Sequence, residues 1–242
     1  MLRLALSPIR TVIAVVYAIL ATGLAAMTVT VQAWRDPKAE GIQRVIDYWS
    51  KSILAVAGIS LTVEGTDNIE PDRTYVVVSN HQSAFDIPAQ FQAIPIPIRF
   101  FAKKELFGIP IFGTALRAIG IVEVDRQAGA AVHGQINAHS AEVVERGHSV
   151  LVYAEGTRFQ DGPVHPFKRG AFSIAIEAGL PILPAMVYGG HLAWPPKRPI
   201  LGGPMKVAIG RPIETTGLTR KDIAALRDET KAVIEQMVDD AA

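Results

Sequence analysis

The sequence of 242 residues predicts an α/β fold, with a mixed, largely parallel sheet flanked by helices, behind an N-terminal membrane-embedded two-helix segment. Three observations carry that expectation. The stretch between Arg10 and Arg35, TVIAVVYAILATGLAAMTVTVQAW, holds no charge. Beyond Ser60, short β-branched runs alternate with stretches of helical periodicity. Two polar clusters, SNHQSAFD at 79–86 and AEGTR at 154–158, each follow an apolar run of strand length. The change of texture divides the chain into anchoring helices, residues 1–58, and an α/β domain, residues 59–242.

The uncharged stretch is long enough to cross a hydrocarbon core of about 30 Å as a helix rising about 1.5 Å per residue. It exceeds the roughly 7–15 apolar residues of a cleavable signal peptide, and so reads as a membrane helix. Asp36-Pro37 has the form of a second helix start, aspartate at the N-cap and proline in the first turn. The segment that follows puts Ile42, Val45, Ile46, Trp49 and Ile53 on one face, with Arg44, Asp47 and Lys51 elsewhere. Such a face fits burial in a membrane interface and burial against a globular domain equally well. Basic residues stand on both sides of the long run, Arg3 and Arg10 before it and Arg35, Lys38 and Arg44 after it. The positive-inside rule therefore gives no orientation, and a hairpin that enters and leaves one leaflet fits as well as a span.

In the second part the expected strands are Leu61–Glu64, Thr74–Ser79, Arg99–Ala102, Ile121–Val124, Ser149–Tyr153, Ile182–Val187 and Met205–Ile209. The expected helices are Phe85–Gln92, Lys104–Ala118, Ala130–Glu145, Ala171–Ala178 and Arg220–Val238, the last with a capping-box-like start at Thr219 and Asp222. In sheets of this kind active residues gather where strands end at their carboxyl edge. Both polar clusters fall at such ends.

His81 and Asp86 are five residues apart, a spacing that lets a carboxylate return to one imidazole nitrogen. That pairing fixes the tautomer and leaves the other nitrogen as a general base toward a hydroxyl. The competing role for Asp86 is to cap the helix that contains Pro88. Ser83 lacks the G-x-S-x-G context of a nucleophile and reads as a loop-bonding serine. In Glu155-Gly156-Thr157-Arg158, glycine allows close approach to an anion and the guanidinium can grip phosphate bidentately. Lys168 and Arg169 lie close by in sequence, and Lys103, Lys104 and Arg126 flank the run from 103 to 126. Cations at strand ends beside a base suit a small phosphorylated substrate carrying a hydroxyl.

Other chemistries find no support. The chain has no cysteine, which removes disulfides, thiolate metal sites and thiol nucleophiles. Its histidines form no metal-binding motif, and no metal is expected. A formal net charge of +1 speaks against a nucleic-acid partner.

Taken together, the motifs resemble the blocks of the 1-acyl-sn-glycerol-3-phosphate (lysophosphatidic acid) acyltransferases. Asn80 to Asp86 is similar to their NHxSxxD block. Residues 103 to 126 resemble the second block through Glu105, Leu106, Pro110, Gly113, Gly120 and Arg126, Glu155 to Arg158 the third, and Leu180-Pro181-Ile182-Leu183-Pro184 the fourth. The third block is usually preceded by proline, and here Ala154 stands there. The resemblance implies transfer of an acyl group from a thioester to the 2-hydroxyl of lysophosphatidate, with His81 as base and Asp86 orienting it. It implies that Lys103, Arg126 and Arg158 hold the phosphate, that Glu155, Gly156 and Thr157 shape the same pocket, and that donors near Asn80 stabilise the oxyanion. The prolines would shape a loop at the site. It further implies no cofactor, acyl-CoA or acyl-acyl carrier protein as co-substrate, and the lipid bilayer as partner. The expected location is the cell inner membrane, with the catalytic domain on the cytoplasmic face.

Overall fold

A computed structural model of the chain describes residues 7–36, 40–124 and 143–241. Seven strands form one sheet: β1 Ile59–Glu64, β2 Val76–Ser79, β3 Ile98–Lys103, β4 Val122–Val124, β5 Ser149–Tyr153, β6 Ile182–Tyr188 and β7 Gly203–Ile209. Their order is β1-β7-β6-β2-β5-β3-β4. Every neighbouring pair is parallel except β6 with β7. The expected mixed, largely parallel sheet is thus present, and all seven expected strands match it to within two residues at each end. β2 lies centrally between β5 and β6, with Ser79 level with Tyr153 and Ala185. Its four residues are all buried, which is why it reads as an unbroken valine run rather than an alternating one.

The eight described helices are α1 Ser7–Arg35, α2 Glu40–Val56, α3 Asp86–Ala93, α4 Lys104–Phe107, α5 Phe112–Ala118, α6 Gly170–Ala178, α7 Gly190–Ala193 and α8 Ile223–Asp239. Two hydrophobic layers follow from the pleat of β2. Val77 joins the layer under α1, α2 and α3, whereas Val76 and Val78 join the layer under α6 and α8. Asp222 reaches back to accept from the backbone N–H of Thr219 at 2.7 Å, which closes a turn ahead of the helix; α8 begins only at Ile223, and its N-cap, Asp222, makes no side-chain cap bond.

The helix expected over Lys104–Ala118 is broken in two. Pro110 has no N–H to give and forces the residue before it out of the helical region. Ile111 then adopts φ 66, in the left-handed region. Gly113 lets the two short helices close up, because a Cβ there would lie 2.1 Å from the carbonyl oxygen of Phe107. α7 was not anticipated. The helix expected over Ala130–Glu145 lies outside the described residues except for its last turn. The prolines of the fourth block also take other places than a loop at the site. Pro181 precedes β6, and Pro184 lies within it, its carbonyl accepting from Gly210 at 2.8 Å. The missing N–H of Pro184 falls on the side where β7 has ended and the chain turns outward before Ile213 pairs with Ile182.

Of the two N-terminal helices only α1 is long and apolar enough to cross a membrane, among the described residues. Its small residues face inward: Ala14, Ala26 and Val29 are buried. Its large ones face out, with Ile19 66% and Leu20 67% exposed. The apolar face of α2 packs against α1 and the domain, burying Ile42, Ile46 and Ile53. The Trp49 indole N–H donates to Thr22 Oγ1 on α1 at 3.0 Å. Gln92 on α3 donates to the Asp47 carbonyl and to Ser50 Oγ on α2. At the other end of α1, Arg10 donates to the Leu201 carbonyl, and Thr11 Oγ1 accepts from the Ile200 N–H at 2.7 Å. The pair of helices is therefore docked on the domain along its length.

Candidate active site

β2 ends at Ser79, and the chain turns through residues 80–85 before α3. Asn80 makes that turn rigid. Its side chain donates to the Val187 carbonyl at 2.9 Å and accepts from the Val187 N–H at 2.8 Å, locking the loop to the end of β6. The amide nitrogen and oxygen of Asn80 are thereby both engaged with the backbone of β6. Below it, the Gln90 amide donates to Ser79 Oγ at 2.6 Å.

Asp86 is 0% exposed and is the first residue of α3. Its carboxylate does not cap that helix. Oδ2 points back into the loop and accepts from the N–H groups of Gln82 at 2.6 Å and Ser83 at 2.8 Å. The third partner of the same oxygen is His81 Nδ1, at 2.8 Å. A carboxylate can only accept, so Nδ1 carries the proton and Nε2 keeps its lone pair. The imidazole is held from its face as well, stacked on the Tyr153 ring at 3.9 Å between centroids and 17° between planes. The Tyr153 hydroxyl is buried without a partner, and burial pushes its pKa well above the usual phenol value. Ser83 Oγ accepts from the Phe85 N–H at 3.3 Å, the loop-bonding role read from its context. Gly190 in α7 must be small, since a Cβ there would sit 2.8 Å from Asp86 Oδ1 and 2.7 Å from Ser83 Cβ.

Glu155 is placed differently from a substrate-binding group. Its buried carboxylate accepts from the His81 N–H through Oε2 at 2.7 Å and from the His165 N–H through Oε1 at 2.8 Å. It braces the backbone of His81 against the loop after β5. Burial raises its pKa, and the two N–H bonds oppose that rise. The same loop bonds again where the Phe159 N–H donates to the His81 carbonyl at 2.9 Å. Ala154 makes use of being non-proline: its N–H donates to Ser79 O at 3.1 Å, and its carbonyl accepts from Lys168 at 2.7 Å.

Gly156 adopts φ 73, and the Lys168 ammonium lies over it, 2.5 Å from where a Cβ would be. Thr157 and Arg158 follow, both exposed. Lys103 ends β3 on the same edge, two strands from β2, with its side chain exposed. Arg126 lies outside the described residues. The structure thus brings Arg158 and Lys168 to the loop that braces His81. Tyr153 and Gln82 escaped the sequence reading, one as the last residue of an apolar run and the other as a variable letter inside a motif.

Beside the loop lies a cavity of about 380 Å³. Ala84, Phe85 and Pro88, next in sequence to the base, form one wall. Ala26 and Trp49 of the N-terminal helices, Phe100 and Phe112 are among the others. The lining is almost wholly apolar and suits an alkyl chain.

A histidine paired with a buried carboxylate, exposed cations and an alkyl-sized cavity together fit, as a class, an enzyme that acts on a charged lipid. Comparison with known proteins agrees. The family model named Acyltransferase matches residues 60–188. The human 1-acyl-sn-glycerol-3-phosphate acyltransferase alpha is 31% identical over 212 residues, covering 86% of this chain and 74% of that one. The 1-acyl-sn-glycerol-3-phosphate acyltransferase of Pseudomonas aeruginosa is 30% identical over 203 residues, covering 79% and 76%. The crystal structure of the 1-acyl-sn-glycerophosphate (LPA) acyltransferase PlsC from Thermotoga maritima superposes with a TM-score of 0.84 at 25% identity, over 99% of this chain and 97% of that one. This chain belongs to the acyltransferase family.

Proposed function

We propose that the chain moves a fatty acyl group from an acyl thioester to the 2-hydroxyl of 1-acyl-sn-glycerol-3-phosphate, releasing phosphatidate and a free thiol. The observation that carries the reading is the 2.8 Å bond from His81 Nδ1 to the buried Asp86, which leaves Nε2 as the base. Nε2 takes the proton of the substrate hydroxyl as its oxygen attacks the thioester carbonyl carbon. The tetrahedral adduct collapses, the carbon–sulfur bond breaks, and the imidazolium returns its proton to the departing thiolate. Asp86 stabilises the transient imidazolium, and general-base help of this kind is worth about 10²–10⁴ in rate. The nucleophile comes from the lipid, so neither a cofactor nor a covalent enzyme intermediate is required.

Arg158, Lys168 and Lys103 hold the phosphate in this reading, with Arg126 as a further ligand. The apolar cavity takes an acyl chain. The donor is acyl-CoA or acyl-acyl carrier protein. α1 is docked from Arg10 to Val29, roughly 29 Å at 1.5 Å per residue, so it cannot cross a bilayer without carrying the domain in with it. Its outward aliphatic face is instead half-embedded in one leaflet, at the cytoplasmic face of the inner membrane, where the lysolipid and the thioester meet.

The test is phosphatidate formation by detergent-purified protein supplied with acyl-CoA and lysophosphatidate. His81→Ala should abolish it with folding intact. Arg158→Ala should raise KM for lysophosphatidate while leaving that for the thioester unchanged. Equal activity in wild type and His81→Ala would sink the mechanism, and a KM change confined to the thioester would remove Arg158 from the phosphate site.

A further inference from the structure

A second cationic cluster lies away from the catalytic loop. Arg99 is at the start of β3, level with Val150 of β5 and so with Val76 at the start of β2. The catalytic loop leaves β2 after Ser79, three residues on, or about 10 Å along the strands. The Arg99 side chain shares a face with Phe101, opposite to Phe100, which lines the alkyl cavity.

Arg99 is 5% exposed. Nη1 donates to the Ile98 carbonyl at 2.7 Å, and Nη2 lies 3.5 Å from His148 Nε2, at the limit of a hydrogen bond. Nε is buried without a partner. The contact to Nε2 makes His148 a Nδ1–H tautomer, and that N–H is buried without a partner too. Gly120, at φ 82, packs beside the guanidinium; a Cβ there would be 3.7 Å from Nε, an ordinary contact. Arg146 is exposed in the turn just before His148. No carboxylate pairs with Arg99 among the described residues. Burial and then the Arg146 charge lower Arg99 to about 10. Burial and then the charges of Arg99 and Arg146 lower His148 to about 4.

A buried guanidinium that meets no counter-charge, as Arg99 meets none among the described residues, is costly, and natural folds pair such groups or bind an ion to them. The donors here are fixed on β3 and on the residue just before its neighbour β5, and Arg146 beside them faces solvent, the side from which a small anion would enter. We infer that Arg99, His148 and Arg146 bind an oxyanion of the phosphate class, at a site separate from the one assigned to the substrate headgroup. An anion there neutralises the cluster and braces β3 against β5 behind the cavity wall. The two sources of such a group are inorganic phosphate and the phosphate ester of a lipid.

The experiment is thermal unfolding of the full chain in detergent, titrated with inorganic phosphate against chloride at matched ionic strength, with lysophosphatidate in a parallel arm. Wild type should rise by about 5 °C or more once phosphate exceeds its Kd a hundredfold. Arg158→Ala, which removes one of the headgroup cations and leaves Arg99, His148 and Arg146 in place, should rise equally. Arg99→Met should not respond, and Arg146→Ala, at an exposed position that folding tolerates, should need several-fold more phosphate. A response to lysophosphatidate in Arg158→Ala that Arg99→Met abolishes, without one to phosphate, identifies the lipid ester as the source. No response of wild type to either probe, or a response that survives in Arg99→Met and Arg146→Ala but is lost in Arg158→Ala, overturns the site. Loss of acyl transfer in His81→Ala bears on the reaction alone, so the two readings fail separately.

Discussion

At the scale of single residues, the proposed catalytic pair, His81 and Asp86, meets through one oxygen and one nitrogen. Asp86 Oδ2 accepts three bonds, and Oδ1 has none. Asp86→Asn can therefore keep its carbonyl oxygen toward the loop and lose only the charge. Its kcat should fall by about 10²–10⁴ while KM for lysophosphatidate stays within a fewfold and the melting temperature moves little. Steady-state kinetics beside a melting curve check this, and a collapse of the fold would instead make the aspartate structural. The contact between His81 and Asp86 was expected from the five-residue return, but that spacing alone is a weak signal, and the catalytic roles rested on the likeness of residues 80–86 to the NHxSxxD block. Glu155 was legible as a site residue but not in its role, since nothing in EGTR says that the carboxylate turns back under the base. A second residue-scale consequence concerns His148. Its folded pKa of about 4 lies below the ordinary 6.5, so the unfolded chain binds more protons between those values. Stability is then full above pH 6.5 and is lost as pH falls toward 4. Melting curves across that window should show the loss in wild type and a smaller one in His148→Gln, while equal curves would remove His148 from acid sensitivity. The groups acting on it are Arg99 from β3 and Arg146 from its own turn.

At the scale of elements, the loop after β5 acts as a strap across the catalytic loop. The Phe159 N–H holds the His81 carbonyl, and the Gln160 amide donates to the Trp194 carbonyl at 3.2 Å. Gln82 is the central link. Its amide donates to the Gly162 carbonyl at 2.9 Å, and its oxygen accepts from His191 Nδ1 at 2.9 Å, while its own N–H bonds Asp86. Burial lowers the His191 pKa, against the pull of Asp86 and Asp161. Gln82→Ala should free the strap that carries Arg158 without touching the base. KM for lysophosphatidate should rise severalfold with kcat falling less, and a fall in kcat alone would show that Gln82 positions His81 instead. Little of this is readable from the sequence, because the side-chain links from Gln82 to Gly162 and His191 join segments 80 or more residues apart. The strands were readable because their β-branched runs are local. The split of the expected helix into α4 and α5 was signalled locally, by Gly108 and Pro110, and the helical periodicity across them concealed it.

At the scale of the whole molecule, the distribution of large and small residues on α1 inverts that of a soluble surface helix. Alanines meet the domain, and Ile9, Val12, Ile13, Val16, Ile19, Leu20 and Leu24 meet the surroundings. Ile109 and Ile111, exposed on the turn between α4 and α5, join Ile19 and Met27 of α1 around one open apolar hollow. A continuous apolar surface of this kind marks a contact with lipid or protein. The composition showed that the chain holds more apolar residues than one core needs, but not that the excess faces outward. Replacing Ile19, Leu20 and Leu24 together by glutamine separates lying on the membrane from crossing it. All three side chains point away from the domain, so circular dichroism should be unchanged. Losing roughly 5 kcal/mol of apolar burial lowers partition into vesicles by more than about a thousandfold. The variant should then leave the membrane fraction, retain turnover of a short-chain lysophosphatidate dissolved in water, and lose turnover of lysophosphatidate held in vesicles. Retention of the variant in washed membranes would mean that α1 crosses the bilayer, and the half-embedded arrangement would fall with it.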